Sequence, residues 1–124
     1  LKGTETVLLV EDEETMLELG RKILERQGYR VLAAGRRSEA LRMAQIHPGP
    51  IHLLISDVIM PEMDGKRLKS KLEEIKPGFK TIFMSGYTAN VIAHHGVLDD
   101  GIDFLQKPFS VQSLAEKARD VLER

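Results

Sequence analysis

Apolar residues fall along this chain in two alternating rhythms. Five short runs, Thr6 to Val10, Arg30 to Ala34, Ile51 to Ser56, Thr81 to Met84 and Ile102 to Leu105, are separated by longer stretches in which apolar residues recur every three or four positions. Short β-rich runs predict strands, and the three-to-four spacing predicts amphipathic helices between them. The first, third and fourth runs are nearly continuous, as in parallel strands covered on both faces, which places them at the centre of a sheet. Helix faces are predicted from Met16, Leu17, Leu19, Ile23 and Leu24, from Leu68, Leu72 and Ile75, and from Val111, Leu114, Ala115, Ala118, Val121 and Leu122.

Local signals place the ends. Gly28 stops the first helix, Ser38 caps a short second one over 38 to 46, Pro77-Gly78 closes the third, and Ser110 caps the last. The stretch 88 to 96 is weakly periodic and interrupted by Gly96, which marks it as the most mobile helical segment. Strands alternating with helices across short connections imply right-handed crossovers, a parallel sheet and an α/β fold with helices on both faces.

Composition then narrows the function. The 124 residues fit one domain spanning 1–124, without a linker or low-complexity tract. With 18 Lys and Arg against 19 Asp and Glu, the chain lacks the global positive field of a nucleic-acid binder or a membrane-surface protein. The absence of cysteine excludes disulfides, thiolate metal sites and thiol nucleophiles and fits a cytoplasmic setting. No apolar run approaches the roughly 18 residues that cross a bilayer, so no membrane contact by this domain is expected.

In such a sheet a ligand site lies beyond the carboxyl ends of the strands. The first strand runs into Glu11 and Asp12, the third into Asp57 and the fourth into Ser85, while Lys107-Pro108 follows the fifth. Carboxylates about 4 Å apart repel by roughly 4 kcal/mol per pair at an effective dielectric near 20, so three together call for protons or a cation. An all-oxygen ligand set favours Mg²⁺, or Mn²⁺, over Zn²⁺. A carboxylate beside that ion can attack a phosphoryl group, with Ser85 and Lys107 neutralising the remaining oxygens. Each residue alone reads as a turn former, a helix cap or a solvated side chain. Their joint placement at four predicted strand ends lifts the phosphoryl-site reading above that.

The blocks Val7-Leu8-Leu9-Val10-Glu11-Asp12-Glu13, Leu53-Leu54-Ile55-Ser56-Asp57-Val58-Ile59-Met60-Pro61-Glu62-Met63-Asp64-Gly65, Met84-Ser85-Gly86-Tyr87 and Phe104-Leu105-Gln106-Lys107-Pro108-Phe109 resemble the receiver domains of two-component response regulators over essentially the whole chain. The resemblance implies the flavodoxin-like (βα)5 sandwich, a CheY-like parallel sheet in order 2-1-3-4-5. It implies Asp57 as phosphoacceptor, Glu11 and Asp12 as the acidic pair serving Mg²⁺, and the Ile59 backbone carbonyl as a further metal ligand. Ser85 becomes the switch hydroxyl, Lys107 the phosphate-pairing lysine, Phe104 the aromatic that changes rotamer, and Pro108 a cis-proline.

Some details refine that picture. Phe104 stands where a tyrosine is often found, so packing alone governs its rotamer. Ile59 cannot position a hydrolytic water, which predicts slow self-dephosphorylation. It also excludes a phosphatase of the haloacid dehalogenase type, which needs a second Asp there. For Tyr87 two readings stand, a shield for the phosphoryl group or a cover for the sheet edge. His94 and His95 are adjacent and lack the spacing of helical metal ligands. Lys66, Arg67, Lys69, Lys71, Arg36 and Arg37 read as solvated helix faces.

Phosphorylation is expected to draw Ser85 inward, vacate space for Phe104 and alter the surface over 84 to 109. The partners implied are a histidine kinase or its phosphohistidine domain and a downstream histidine phosphotransfer protein, with dimerisation on phosphorylation left open. The lead-in Gly3-Thr4-Glu5-Thr6, the stretch His95 to Gly101 and the start without methionine resemble receivers fused to the C-terminus of hybrid sensor histidine kinases. A free-standing receiver acting as an adaptor is the alternative, and a pseudo-receiver is disfavoured because all five site groups are present.

Overall fold

In a computed structural model of the chain, residues 3–58, 65–86 and 103–124 are described. They form β1 (Thr6–Val10), α1 (Glu14–Arg26), β2 (Arg30–Ala34), α2 (Arg37–Ile46), β3 (Leu53–Asp57), α3 (Gly65–Ile75), β4 (Lys80–Ser85), β5 (Asp103–Gln106) and α4 (Val111–Leu122). The predicted helical stretch 88 to 96, with His94 and His95, lies outside the described residues, as do Ile59 and Tyr87. Among the described residues no helix is long and apolar enough to cross a membrane.

The five strands make one parallel sheet in order β2-β1-β3-β4-β5, so β1, β3 and β4 are central as their continuous apolar runs predict. Every residue of β1 and of β3 is buried. Alternation along the strands then divides the core in two. Val7, Leu9, Leu53, Ile55, Ile82 and Met84 pack under α1 and α4. Leu8, Val10 and Leu54 pack under α2 and α3. The layers follow from that split.

Several predicted ends shift, for local reasons. β3 begins at Leu53 rather than Ile51, because His52 acts as a bridge: its N–H donates to Thr6 O at 2.9 Å while its Nδ1 accepts from the Thr6 N–H at 3.0 Å. The second helix starts at Arg37 with Arg36 at the N-cap, so Ser38 is not the cap. Glu39 instead takes the Gly35 N–H at 2.8 Å, satisfying a donor of the incoming turn. Gly28 ends α1 as expected, with φ +97 in the region that a side chain rarely adopts. Ser110 caps α4 through a reciprocal pair with Ser113.

Two residues assigned to the buried stripes face solvent. Leu19 is 41% exposed and Val111 59% exposed. In α1 the sheet-facing positions are Gly20, Ile23 and Leu24, so Leu19 lies one residue, about 100° of helix rotation, off the contact line. Val111 is the first residue of α4, whose buried positions are Leu114, Ala115, Ala118 and Val121. Arg37 also departs from the expected solvated face, since its Nε and Nη1 atoms are buried without a hydrogen-bond partner.

Candidate functional site at the carboxyl end of the sheet

The site grows from three strand ends. After β1 the chain continues the ladder for one residue, Glu11, whose N–H donates to Ala34 O at 3.1 Å and whose side chain is 1% exposed. The chain then turns because Glu13 becomes the N-cap of α1, its carboxylate accepting from the Thr15 and Met16 N–H groups. That turn points the Glu13 N–H at Glu11 Oε1, 3.0 Å away, and leaves Asp12 exposed at the rim. Asp57 is the last residue of β3 and is buried. Beyond it, the Val58 N–H donates to Met84 O at 2.9 Å and holds the chain against β4.

Lys107 arrives from β5. Its N–H donates to Ser85 O at 2.8 Å, and the Lys107-Pro108 bond is cis. Its ammonium lies 2.8 Å from Glu11 Oε2 and 2.7 Å from Asp57 Oδ1, bridging the two buried carboxylates. Glu11, Asp12 and Asp57 each offer one carboxylate oxygen, and these oxygens lie within 4.8 Å of one another. Ser85 ends β4 beside Gln106 and is buried. Phe104 is half-buried opposite Phe83, two residues before Gln106 and so on the same face as Ser85. The structure thus brings Glu11, Asp12, Asp57 and Lys107 together, with Ser85 and Phe104 on the neighbouring strands.

The electrostatics are unequal within the cluster. Burial, reinforced by the adjacent Glu11, pushes the Asp57 carboxyl up to about 8. Burial acts on Glu11 too, but the adjacent Asp57 carboxyl together with the hydrogen bonds from Lys107 and the Glu13 N–H outweighs it and holds Glu11 below the usual carboxylate range. Desolvation works against the Lys107 charge, and its two carboxylate partners more than offset that, raising it. Glu11 therefore carries the settled negative charge, and Asp57 is the strained member.

That strain is visible in the coordination of Asp57. Neither carboxylate oxygen has a hydrogen-bond partner, although both are buried; the 2.7 Å approach of Lys107 to Oδ1 is a charge contact without hydrogen-bond alignment. A buried carboxylate left this way is costly, and a further cation beside the Lys107 ammonium would offset that cost. The oxygen-only set of Glu11, Asp12 and Asp57 suits a hard divalent ion, so the residues present fit one.

Two contributors were not singled out by sequence reasoning. Gly65, the first residue of α3, packs on the Asp57 carbonyl so closely that a Cβ there would sit 2.6 Å from Asp57 O and 2.9 Å from Phe83 Cε1. Ser56 Oγ donates to the same carbonyl at 2.9 Å. The signal for Gly65 was present, a glycine opening a helix eight residues after the buried acid. Nothing in the sequence marked Ser56.

Known proteins share the sequence pattern and the fold of this chain. A model of the response regulator receiver domain matches residues 7–119. The sensor kinase CckA of Brucella abortus (strain 2308) is 40% identical over 124 residues, all of this chain but 13% of that protein. The response regulator receiver protein CpdR of the same strain is 32% identical over 116 residues, 94% of this chain and 95% of that one. Among solved structures, the receiver domain of the hybrid histidine kinase CckA superposes with a TM-score of 0.79 at 37% identity, covering 94% of this chain and 98% of that one. The chain therefore spans a small part of one relative and nearly the whole of another.

Proposed function

We propose the role of each site residue from one premise: this chain belongs to the response regulator receiver domain family of two-component systems. Asp57 is the phosphoacceptor. The observation that carries this reading is the buried, hydrogen-bond-orphaned Asp57 carboxylate held 2.7 Å from an ammonium that also grips Glu11. An ionised Asp57 oxygen attacks the phosphorus of a phosphohistidine. The new O–P bond forms as the P–N bond breaks, and that bond's electron pair returns to the imidazole nitrogen. Once Asp57 is ionised, the attack itself transfers no proton, because the nucleophile is the carboxylate.

Glu11, Asp12 and Asp57, with the main-chain carbonyl of Ile59, would hold Mg²⁺ in this reading. Bound there, the ion would supply positive charge against the oxygens of the incoming phosphoryl group. Lys107, already poised beside Asp57, pairs with one phosphoryl oxygen, and the Ser85 hydroxyl with another. Ser85 and Phe104 share one face of adjacent strands, so an inward pull on Ser85 is felt by the aromatic ring, which is the proposed switch.

The donor is a histidine kinase or its phosphohistidine domain, and the recipient a histidine phosphotransfer protein, all in the cytoplasm. The 40% identity with a sensor kinase across the whole chain favours a receiver carried by a hybrid histidine kinase. The CpdR likeness supports the second reading, a free-standing receiver.

Incubation with acetyl phosphate, with and without Mg²⁺, followed by intact mass measurement, tests the phosphoacceptor. One phosphoryl adduct is expected, dependent on the divalent ion and absent from Asp57→Asn. An adduct that survives the substitution places the chemistry elsewhere.

A further inference from the structure

Apart from the 2.7 Å charge contact with Lys107, the Asp57 carboxylate receives no aligned side-chain donor. The main chain therefore shares in setting its direction. Three contacts fix that stretch of backbone: the Val58 N–H donates to Met84 O at 2.9 Å, the Gly65 N–H donates to Val58 O at 2.7 Å, and Ser56 Oγ donates to Asp57 O at 2.9 Å. Only the last comes from a side chain.

Ser56 is out of pattern where it stands. It is fully buried in a central parallel strand, paired with Val10 on one side and Phe83 on the other. By alternation it shares a face with Leu54, under the apolar layer of α2 and α3. An aliphatic residue would suit that position, and a buried hydroxyl is unfavourable unless it is bonded. Its bond goes to the peptide group of the residue whose direction matters most.

We propose that Ser56 is a positioning residue for the phosphoacceptor: its hydroxyl clamps the Asp57 carbonyl from the α2–α3 side and so aims the carboxylate at the incoming phosphorus. The clamp works together with Gly65, which crowds the same carbonyl. Misaiming a nucleophile by a fraction of an ångström lowers the rate of attack while leaving donor binding alone. This inference rests on the reading of Asp57 as phosphoacceptor.

The test follows adduct formation from acetyl phosphate at saturating Mg²⁺ by intact mass against time, in the unsubstituted protein, Ser56→Ala, Ser56→Thr and Asp57→Asn, with thermal unfolding measured on each. Ser56→Ala is expected to lower the maximal rate about 3- to 10-fold, the equivalent of one lost net hydrogen bond, with the half-saturating acetyl phosphate concentration unchanged. Ser56→Thr is expected to restore the rate. Should Ser56→Ala prove unfolded, Ser56→Cys keeps the volume with a weaker donor and is expected to give an intermediate rate. A full rate in the alanine variant despite a lower unfolding midpoint makes Ser56 a packing residue and overturns the proposal, as does a threonine variant as slow as alanine. Adduct on Asp57→Asn would instead undo the phosphoacceptor reading, leaving the two failures distinguishable.

Discussion

At the scale of single residues, the cluster is organised by an imbalance between two acids. Glu11 has a donor for each oxygen, Glu13 N–H and Lys107, whereas Asp57 has neither oxygen satisfied. A carboxyl whose pKa is raised by folding, here to about 8, binds more protons in the folded than in the unfolded state between its ordinary value and 8. Stability must therefore fall as pH climbs through that window. In metal-free buffer Asp57→Asn is expected to be more stable than the unsubstituted protein by about 1 to 3 kcal/mol at pH 8, with the gap closing near pH 4. Urea unfolding at the two pH values measures it, and a substitution that destabilises equally at both would contradict the assignment. The carboxylates, Ser85 and Lys107 were legible in the sequence because strand ends are legible. Ser56 was not, since a serine inside a buried strand has no signature of what it bonds.

At the scale of elements, the site depends on how two helices start. α1 opens on Glu13, which both caps the helix and turns its N–H onto Glu11, so an acidic run performs two tasks within three residues. α3 opens on Gly65 against the Asp57 carbonyl, a contact that admits no side chain. Gly65→Ala is expected to cost about 1 to 3 kcal/mol through overpacking, because the clash is with backbone and an aromatic edge rather than a flexible tip. Thermal unfolding checks this, with Gly35→Ala as the comparison, since a Cβ at that position meets nothing within 4 Å. Helix faces were readable to within one position: Ile23, Leu24, Leu68, Leu72, Leu114 and Val121 are buried as their spacing predicts, while Leu19 and Val111 are not. Periodicity finds a stripe, but the line of closest approach to the sheet is set by packing.

At the scale of the whole molecule, the pole opposite the site is tied by Arg119 of α4, which pairs with Glu5 at 2.7 Å and lies 5.9 Å from the centre of the Tyr29 ring. This joins the first strand, the turn after α1 and the last helix. The Arg119 guanidinium holds the Glu5 carboxyl down at about 2. A depressed acid stabilises the fold above its ordinary value and loses that contribution as pH falls toward 2. Glu5→Gln is thus expected to lower stability at pH 7 by about 1 kcal/mol after solvent screening, and to match the unsubstituted protein near pH 2. Circular dichroism during acid titration follows both.

The amino-acid order by itself determined the α/β class, the central strands β1, β3 and β4, and the five acid, hydroxyl and ammonium positions at the ends of those strands and of β5, because burial periodicity and strand termini are properties of neighbouring residues. Tertiary structure alone decided which charges meet. Lys107 lies 96 residues from Glu11 along the chain, and only the sheet brings its ammonium to 2.8 Å of that carboxylate and to 2.7 Å of Asp57, whose oxygens are left without an aligned hydrogen bond. Coulomb and desolvation energies depend on distance in space and on exclusion of water, and both exist only once the strands are paired.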